Sequence, residues 1–269
     1  MNFLLLGDVC GKSGMNAIKS KLKNIITTYK INFTIINGEN AADNGKGLTK
    51  ENFNDLIYAG ADVVTTGNHV WDHKEIIETI EKEVQLIRPE NFIEGLPGKG
   101  FHIFHSKEKK KKIAVINLIG NVFMKKSRDV FESAKNVINR IKLKTDADFI
   151  FVDIHGEITS EKMALGHFLD GKITGLVGTH THVPTSDTKI LENGTAYQTD
   201  LGMCGDYNSV IGMNKANSIK KFLKNSNALQ HFPAEGEATI CGVIIEADTK
   251  TGLAKNIKQI ILGGDLKSR

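Results

Sequence analysis

Five short apolar segments of this chain end in side chains that commonly bind metal ions. The side chains comprise two carboxylates, two amides and four imidazoles: Asp8, Glu39, Asn40, Asn68, His69, His155, His180 and His182. Oxygen donors mixed with imidazoles suit Mn, Fe or Zn better than Mg or Ca alone. The set is too large for one ion. It favours two ions about 3.5–4 Å apart, which can clamp a phosphoryl group for in-line attack, with Glu39 as the natural bridge.

The apolar segments that precede these side chains predict buried β-strands. They contain about four to eight residues rich in Val, Ile, Leu and Phe, as is typical of strands in parallel or mixed sheets. Sites in open α/β sheets lie beyond the carboxyl ends of the strands. All the donor residues follow strands in this way, so we expect the fold to bring them together at one rim.

Amphipathic helices are predicted between the strands, at residues 12–29, 49–59, 127–142 and 160–170. Thr49 is a predicted N-cap, and Asp72 with Glu75 has the spacing of a capping box at the start of a further helix. Residues 86–122 and 188–262 contain strand-like segments that favour antiparallel pairing. The elements predict an α/β fold with two mixed sheets packed face to face and covered by helices, in a single domain spanning residues 1–269.

The composition disfavours several classes of protein. The chain has 35 Lys and Arg against 31 Asp and Glu residues, so its net charge of +4 is small. The densest basic run, residues 107–112, lies between two predicted strands without interleaved aromatic residues, which favours an exposed hairpin tip over a nucleic-acid surface. Three cysteines without CxxC spacing argue against a disulfide framework or structural zinc. No apolar stretch of about 18 residues is present, so we expect a cytoplasmic protein with no membrane segment.

Longer motifs surround the candidate ligands and resemble those of calcineurin-like metallophosphoesterases, most closely the YmdB-like branch. The similarity extends over nearly the whole chain. Its motifs are GENAA at 38–42, GKGLT at 45–49, GNHVWD at 67–72, NLIGNVFM at 117–124, GTHTHVPT at 178–185 and TAYQTDLGM at 195–203. A string of motifs of this length is highly specific.

The resemblance implies a four-layer α-β-β-α sandwich with a dinuclear centre of iron or, alternatively, manganese. The implied ligands form two groups that share one carboxylate: Asp8, Glu39, Asn40 and His182 for the first metal ion, and Glu39, Asn68, His155 and His180 for the second. His69 would be the general acid. The implied reaction is hydrolysis of phosphodiesters, including 2′,3′- or 3′,5′-cyclic nucleotides, by a metal-bridged hydroxide.

Two positions depart from the pattern of the superfamily. Cys10 stands where the wider superfamily usually has a histidine ligand; Asn40 is expected to replace that ligand, and we interpret Cys10 as a small buried filler. Asn121 occupies a position where this branch would have a basic residue. Asp153 and Glu157 lie two residues to either side of a candidate ligand and are candidates to hold ligating imidazoles in place.

Two other functions are compatible with the same residues. A metal-dependent nucleotide-binding regulator with little turnover would need the ligands but not His69, whose presence therefore favours an enzyme. A phosphomonoesterase would share every ligand, and its selectivity would rest on loops such as residues 95–100 and 206–213. The expected partner is a cyclic nucleotide or another small phosphodiester, with a homo-oligomer as an open alternative.

Overall fold

The chain forms thirteen strands and six helices in the computed structural model, which describes residues 1–107 and 110–267. The strands are β1 (Asn2–Leu6), β2 (Asp8–Val9), β3 (Phe33–Asn37), β4 (Val63–Thr65), β5 (Phe101–His105), β6 (Lys112–Ile119), β7 (Phe149–His155), β8 (Gly175–Thr179), β9 (Lys189–Ile190), β10 (Ala196–Gln198), β11 (Met203–Asp206), β12 (Ala238–Ala247) and β13 (Ala254–Leu262). The helices are α1 (Gly11–Thr28), α2 (Lys50–Ala59), α3 (Ile76–Lys82), α4 (Val130–Arg140), α5 (Thr159–Leu169) and α6 (Lys215–Phe222).

The strands form two mixed sheets, as the sequence predicts. In the first sheet β1, β3 and β4 are parallel, and β12 joins β1 antiparallel and links it to β11, β2 and β13. In the second sheet β6, β7 and β8 are parallel, with β5 antiparallel to β6 at one edge and β10 and β9 beyond β8. Antiparallel pairs occur in both regions for which the sequence predicts them, residues 86–122 and 188–262. Within the second region, β10 nevertheless pairs parallel with β8.

The sheets pack face to face because the central strands are apolar on both sides. Phe3 and Leu5 of β1 belong to the core between the sheets, where the Phe3 ring centroid lies 4.8 Å from that of Phe149 in β7. Leu4 and Leu6 belong to a second core shared with α1 and α2. A third core places α4 and α5 against the second sheet. These cores define the predicted four-layer sandwich and explain the uninterrupted apolar run of β1.

Helix boundaries follow local capping. The hydroxyl of Thr49 accepts a hydrogen bond from the backbone N–H of Asn52 at the start of α2, and Gly60 ends that helix at φ 126°. Helix α4 is shorter than predicted because Asp129 caps it, its carboxylate accepting from the N–H of Glu132 at 2.8 Å. The Thr49 cap is confirmed by this geometry.

The predicted capping box of Asp72 and Glu75 is wrong. Helix α3 begins at Ile76, and neither carboxylate caps it. The Asp72 carboxylate instead pairs with the His69 imidazole, and the Glu75 carboxylate accepts from the backbone N–H of Lys50. Both acids are therefore engaged by groups outside the helix that their spacing predicted.

The predicted hairpin around the basic run consists of β5 and β6, which pair antiparallel. Positions 108 and 109 of that run lie outside the described residues, so the prediction of an exposed tip is not tested there. Among the described residues, none of the helices has the length and apolar character needed to cross a membrane.

Candidate metal centre

The carboxyl ends of five parallel strands, three from the first sheet and two from the second, bring the predicted donors to one rim. Asp8, Glu39 and Asn68 follow β1, β3 and β4 of the first sheet. His155 ends β7 and His180 follows β8 in the second sheet. Contacts among these side chains, described below, show that the rim spans both sheets.

One group of donors surrounds His182. Its Nε2 atom lies 3.3 Å from Oδ1 of Asn40 and 3.8 Å from Oδ1 of Asp8. The second group surrounds His155, whose Nε2 atom lies 2.7 Å from Oε2 of Glu39 and 3.2 Å from Oδ1 of Asn68.

His180 completes the second group, because its Nδ1 atom lies 3.0 Å from Nε2 of His155. Ligand atoms of Asp8, Glu39 and His155 all lie within 4.8 Å of one another, so the two groups are contiguous. The arrangement thus contains two adjacent donor sets with Glu39 close to both.

The polar atoms at the centre of this arrangement fit a cation. Oδ1 of Asp8 and Oε2 of Glu39 are buried and accept no hydrogen bond from the described residues, and the short contact of Oε2 with Nε2 of His155 does not have hydrogen-bond geometry. A buried carboxylate oxygen without a partner is costly. Two such oxygens beside imidazole and amide donors form the mixed oxygen and nitrogen set that binds Fe, Mn or Zn.

Burial disfavours the charged forms of two carboxylates and two imidazoles in this group, and their pKa values shift accordingly. It raises the pKa of Asp8 to about 6 and the pKa of Glu39 to about 7. It lowers the pKa of His155 to about 4, and burial with the adjacent His155 lowers the pKa of His180 to about 3. Both imidazoles are therefore neutral near pH 7 and present a lone pair, and a cation placed among the groups would favour the ionised carboxylates.

Neighbouring groups fix the orientation of the imidazoles. Nδ1 of His155 lies 2.9 Å from the hydroxyl of Thr179, which donates to Asp153 at 2.8 Å. The hydroxyl therefore accepts from Nδ1–H. In this tautomer Nε2 carries no proton, and its lone pair is free to bind a metal ion. Asp153 thus acts on His155 through Thr179. Glu157, in contrast, contacts Nε2 of His180 at 3.2 Å and makes no such contact with His155 in the described structure.

The segment that carries the last two imidazoles has a strained backbone. His180 has φ 100° and His182 has φ 65°, a left-handed region that costs non-glycine residues about 1–3 kcal/mol each. Asp200 accepts hydrogen bonds from the N–H and hydroxyl of Thr181, between the two histidines. Lys162, fully buried, donates to Asp200 and to the carbonyl of Thr179, both at 2.8 Å. This buried ion pair holds the histidine segment on both sides of His180.

His69 lies beside the donors but makes different contacts. Its backbone N–H donates to Glu39, whereas its Nδ1 atom lies 2.8 Å from the Asp72 carboxylate. Lys125 reaches the same edge and donates to the backbone carbonyl of Asn68 at 2.7 Å.

Sequence reasoning missed several of these supporting residues: Asp72, Lys125, Lys162 and Asp200. The signal available for Asp72 was its spacing three residues after His69, and Asp200 lies within a quoted motif. Nothing in the sequence distinguishes Lys125 or Lys162 from other lysines, and the burial of Lys162 is unusual for this residue type.

The two departures from the family pattern have structural roles. Cys10 is buried, and burial raises its pKa to about 12, which keeps the thiol protonated near neutral pH. The Asn121 side chain accepts from the N–H of Val130 and donates to Ser127 and to the carbonyl of Arg128. Asn121 therefore organises the start of α4.

The four-layer fold and the rim of donors define a metallophosphoesterase. A family model described as "YmdB-like protein" matches residues 4–260. The chain is 46% identical over 265 residues to the 2′,3′-cyclic-nucleotide 2′-phosphodiesterase of Bacillus subtilis strain 168, covering 98% of each protein. This chain belongs to the YmdB-like family and is a hydrolase of phosphoric esters.

Two solved structures share the fold closely. A hypothetical protein from Thermus thermophilus superposes with a TM-score of 0.89 at 36% identity, over 97% of this chain and 99% of that one. A novel phosphatase from Mycoplasma pneumoniae also gives a TM-score of 0.89 at 36% identity, over 97% and 93% of the two chains. The likeness covers the whole sandwich.

Proposed function

We propose that this chain is a dinuclear metal-dependent phosphodiesterase that hydrolyses cyclic nucleotides, with 2′,3′-cyclic nucleotides as the first candidates. The observation that carries the proposal is the pair of adjacent donor sets with two unpartnered carboxylate oxygens at their centre. The substrate class named for the Bacillus subtilis relative supports the choice of cyclic nucleotide.

The proposed ligands divide as the donor sets do. Asp8, Asn40 and His182 would hold one ion, Asn68, His155 and His180 the other, and Glu39 would bridge them. The mixture of oxygen and imidazole nitrogen donors suits Fe, Mn or Zn, and the family resemblance makes iron the first choice and manganese the alternative. When bound, such a pair supplies a nucleophile at neutral pH and Lewis-acid polarisation of the phosphoryl oxygens.

His69 is the proposed general acid. Asp72 accepts from Nδ1–H of His69, so that Nε2 is the atom free to donate a proton. His69 also lines the cavity beside the donors, where the leaving oxygen of a bound ester would lie. In its imidazolium form His69 carries a proton on both nitrogens. The Nε2 proton would pass to that oxygen as its bond to phosphorus breaks, which leaves neutral His69 with its Nδ1–H on Asp72 and prevents release of an unprotonated alkoxide.

Metal removal and reconstitution test this proposal. We expect the chelated protein to lose turnover and to regain it with Fe or Mn, at two ions per chain by elemental analysis. The substrates are 2′,3′- and 3′,5′-cyclic nucleotides, an acyclic diester and a monoester. Turnover of the monoester alone would identify a phosphomonoesterase. Binding of nucleotide without turnover in either metal form would identify a regulator, and both results would overturn the proposal.

Asp72→Asn tests the orientation of the general acid. We expect kcat for a cyclic nucleotide to fall about 10–100-fold, because an amide oxygen orients the imidazole and stabilises its protonated form less well than a carboxylate does. Metal content should stay at the wild-type value. Asp55→Asn removes a comparable exposed carboxylate, paired with Lys19 at 2.6 Å, and should leave kcat unchanged. Equal rates for Asp72→Asn and wild type would show that Asp72 does not position His69.

A further inference from the structure

A cavity of about 290 Å³ opens beside the donor rim. One side is formed by the proposed ligands Asn40, His180 and His182 together with His69. The other side is mostly apolar and comes from the region between β11 and the end of α6, with Val210, Ile211, Met213 and Phe222, and Lys46 and His231 line the remaining edge of the cavity. The volume is close to the lower end of small-molecule sites, about 300–1,000 Å³, so it suits one small ligand.

Two apolar side chains of this wall are left open to solvent. Phe222 is 81% exposed and Ile211 is 55% exposed. Ile211 also has φ 48°, a conformation that a β-branched residue adopts only under a specific constraint. Its carbonyl oxygen accepts from Nδ1 of His182 at 2.8 Å. The same backbone conformation therefore orients a proposed metal ligand and places Ile211 in the cavity wall.

A polar group in this wall lacks a partner. Ser218 of α6 lines the cavity, is 1% exposed, and its hydroxyl is buried without a hydrogen-bond partner in the described part of the chain. A helical serine can often bond to the carbonyl four residues earlier, but among the described residues the carbonyl of Asn214 accepts from the backbone N–H of Ser218 and not from its hydroxyl. A buried unpaired hydroxyl in an apolar wall indicates a ligand with a matching polar group.

We infer that this cavity binds the base of a cyclic mononucleotide, with Phe222 and Ile211 against the face of the ring and the Ser218 hydroxyl bonded to its polar edge. This inference rests on the proposed function, because the phosphate of the same molecule would lie at the donor rim. A nucleobase has apolar faces and a polar edge, which matches a wall of exposed apolar side chains around one unpaired hydroxyl. The small volume favours one nucleoside over a longer polynucleotide.

The test compares a 2′,3′-cyclic nucleotide with glycerol 1,2-cyclic phosphate, which has a five-membered cyclic diester but no base. The quantity measured is the kcat/KM for the nucleotide divided by the kcat/KM for the glycerol ester. In Phe222→Ala we expect this ratio to fall about tenfold, mainly because KM for the nucleotide rises. Stacking of one base on an aromatic side chain contributes about that factor to binding. Leu223→Ala is the matched control. Leu223 is the next residue, is 74% exposed and does not line the cavity, so its ratio should equal that of wild type.

Ser218→Ala separates a binding role from a structural one. Because no hydrogen bond within the protein is lost, its unfolding temperature should equal or exceed that of wild type, while the same kcat/KM ratio falls several-fold. A lower unfolding temperature with an unchanged ratio would overturn the role of Ser218.

The outcomes distinguish this inference from the proposed function. Wild-type protein that hydrolyses both esters with equal kcat/KM would overturn the base pocket and leave the phosphodiesterase intact. Wild-type protein that hydrolyses neither ester in the Fe or Mn form would overturn both. A change of self-association in Phe222→Ala, with no change in the ratio, would assign the exposed face to a second copy of the chain and overturn the inference.

Discussion

Replacing His69 by alanine is expected to reduce kcat for a 2′,3′-cyclic nucleotide by about 10²–10⁴-fold, the usual contribution of a general acid. Metal binding should survive, because the contact of His69 with Glu39 is made by its backbone N–H, which alanine keeps. The imidazole itself contacts Asp72 rather than any of the proposed ligands. Steady-state kinetics and elemental analysis of the same preparation would measure both quantities.

A comparison of two esters with different leaving groups shows whether His69→Ala has lost proton donation. Bis(p-nitrophenyl) phosphate releases a phenolate that needs no proton. With this ester, kcat of His69→Ala should therefore be lower than that of wild type by only about tenfold or less. His167→Ala, on the exposed face of α5, is the control and should match wild type with both esters. Equal deficits with both esters, or loss of metal from His69→Ala, would refute the acid assignment.

Replacing Lys162 by methionine is expected to lower the free energy of unfolding by about 3–5 kcal/mol, the usual cost of leaving one charge of a buried ion pair without its partner. Both side chains of the Lys162–Asp200 pair are 1% exposed. The lost lysine would also free the carbonyl of Thr179 and one side of the strained histidine segment. Urea unfolding of the chelated protein measures this change without a contribution from bound metal.

A double variant makes this prediction specific. Lys162→Met combined with Asp200→Asn removes both charges and should recover part of the lost stability, since no buried carboxylate is left unpaired. Lys19→Met is the matched control, because Lys19 makes a 2.6 Å ion pair at the surface and should change stability little. Comparable stabilities for Lys162→Met and Lys19→Met would show that burial of the pair does not matter.

Much of the fold was predictable because its information is local. Strands such as β1 and β7 are short apolar runs, and the ends of parallel strands must meet at a rim. The same reasoning predicts that the donor residues lie together, and the contacts among their side chains agree. The Thr49 cap was predictable for the same reason, since its partner is three residues away.

Features that depend on distant contacts were not predictable. Asp72 and Glu75 have the spacing of a capping box, and only the positions of His69 and Lys50 show that both carboxylates are used elsewhere. The Lys162–Asp200 pair joins residues 38 positions apart, and nothing in the sequence marks that lysine as buried. The left-handed backbone of Ile211 has no local signal either, because β-branched residues normally avoid it.

The donor residues come from both sheets, with Asp8 and Glu39 following strands of the first and His155 and His180 belonging to the second. Ions bound between them would cross-link the two halves of the sandwich, so that metal affinity and folding stability are thermodynamically linked. A free metal concentration one hundred times the dissociation constant contributes about 2.7 kcal/mol to stability for each site. Metal starvation would then shorten the lifetime of the folded protein as well as stop its reaction, and cellular abundance would follow metal supply.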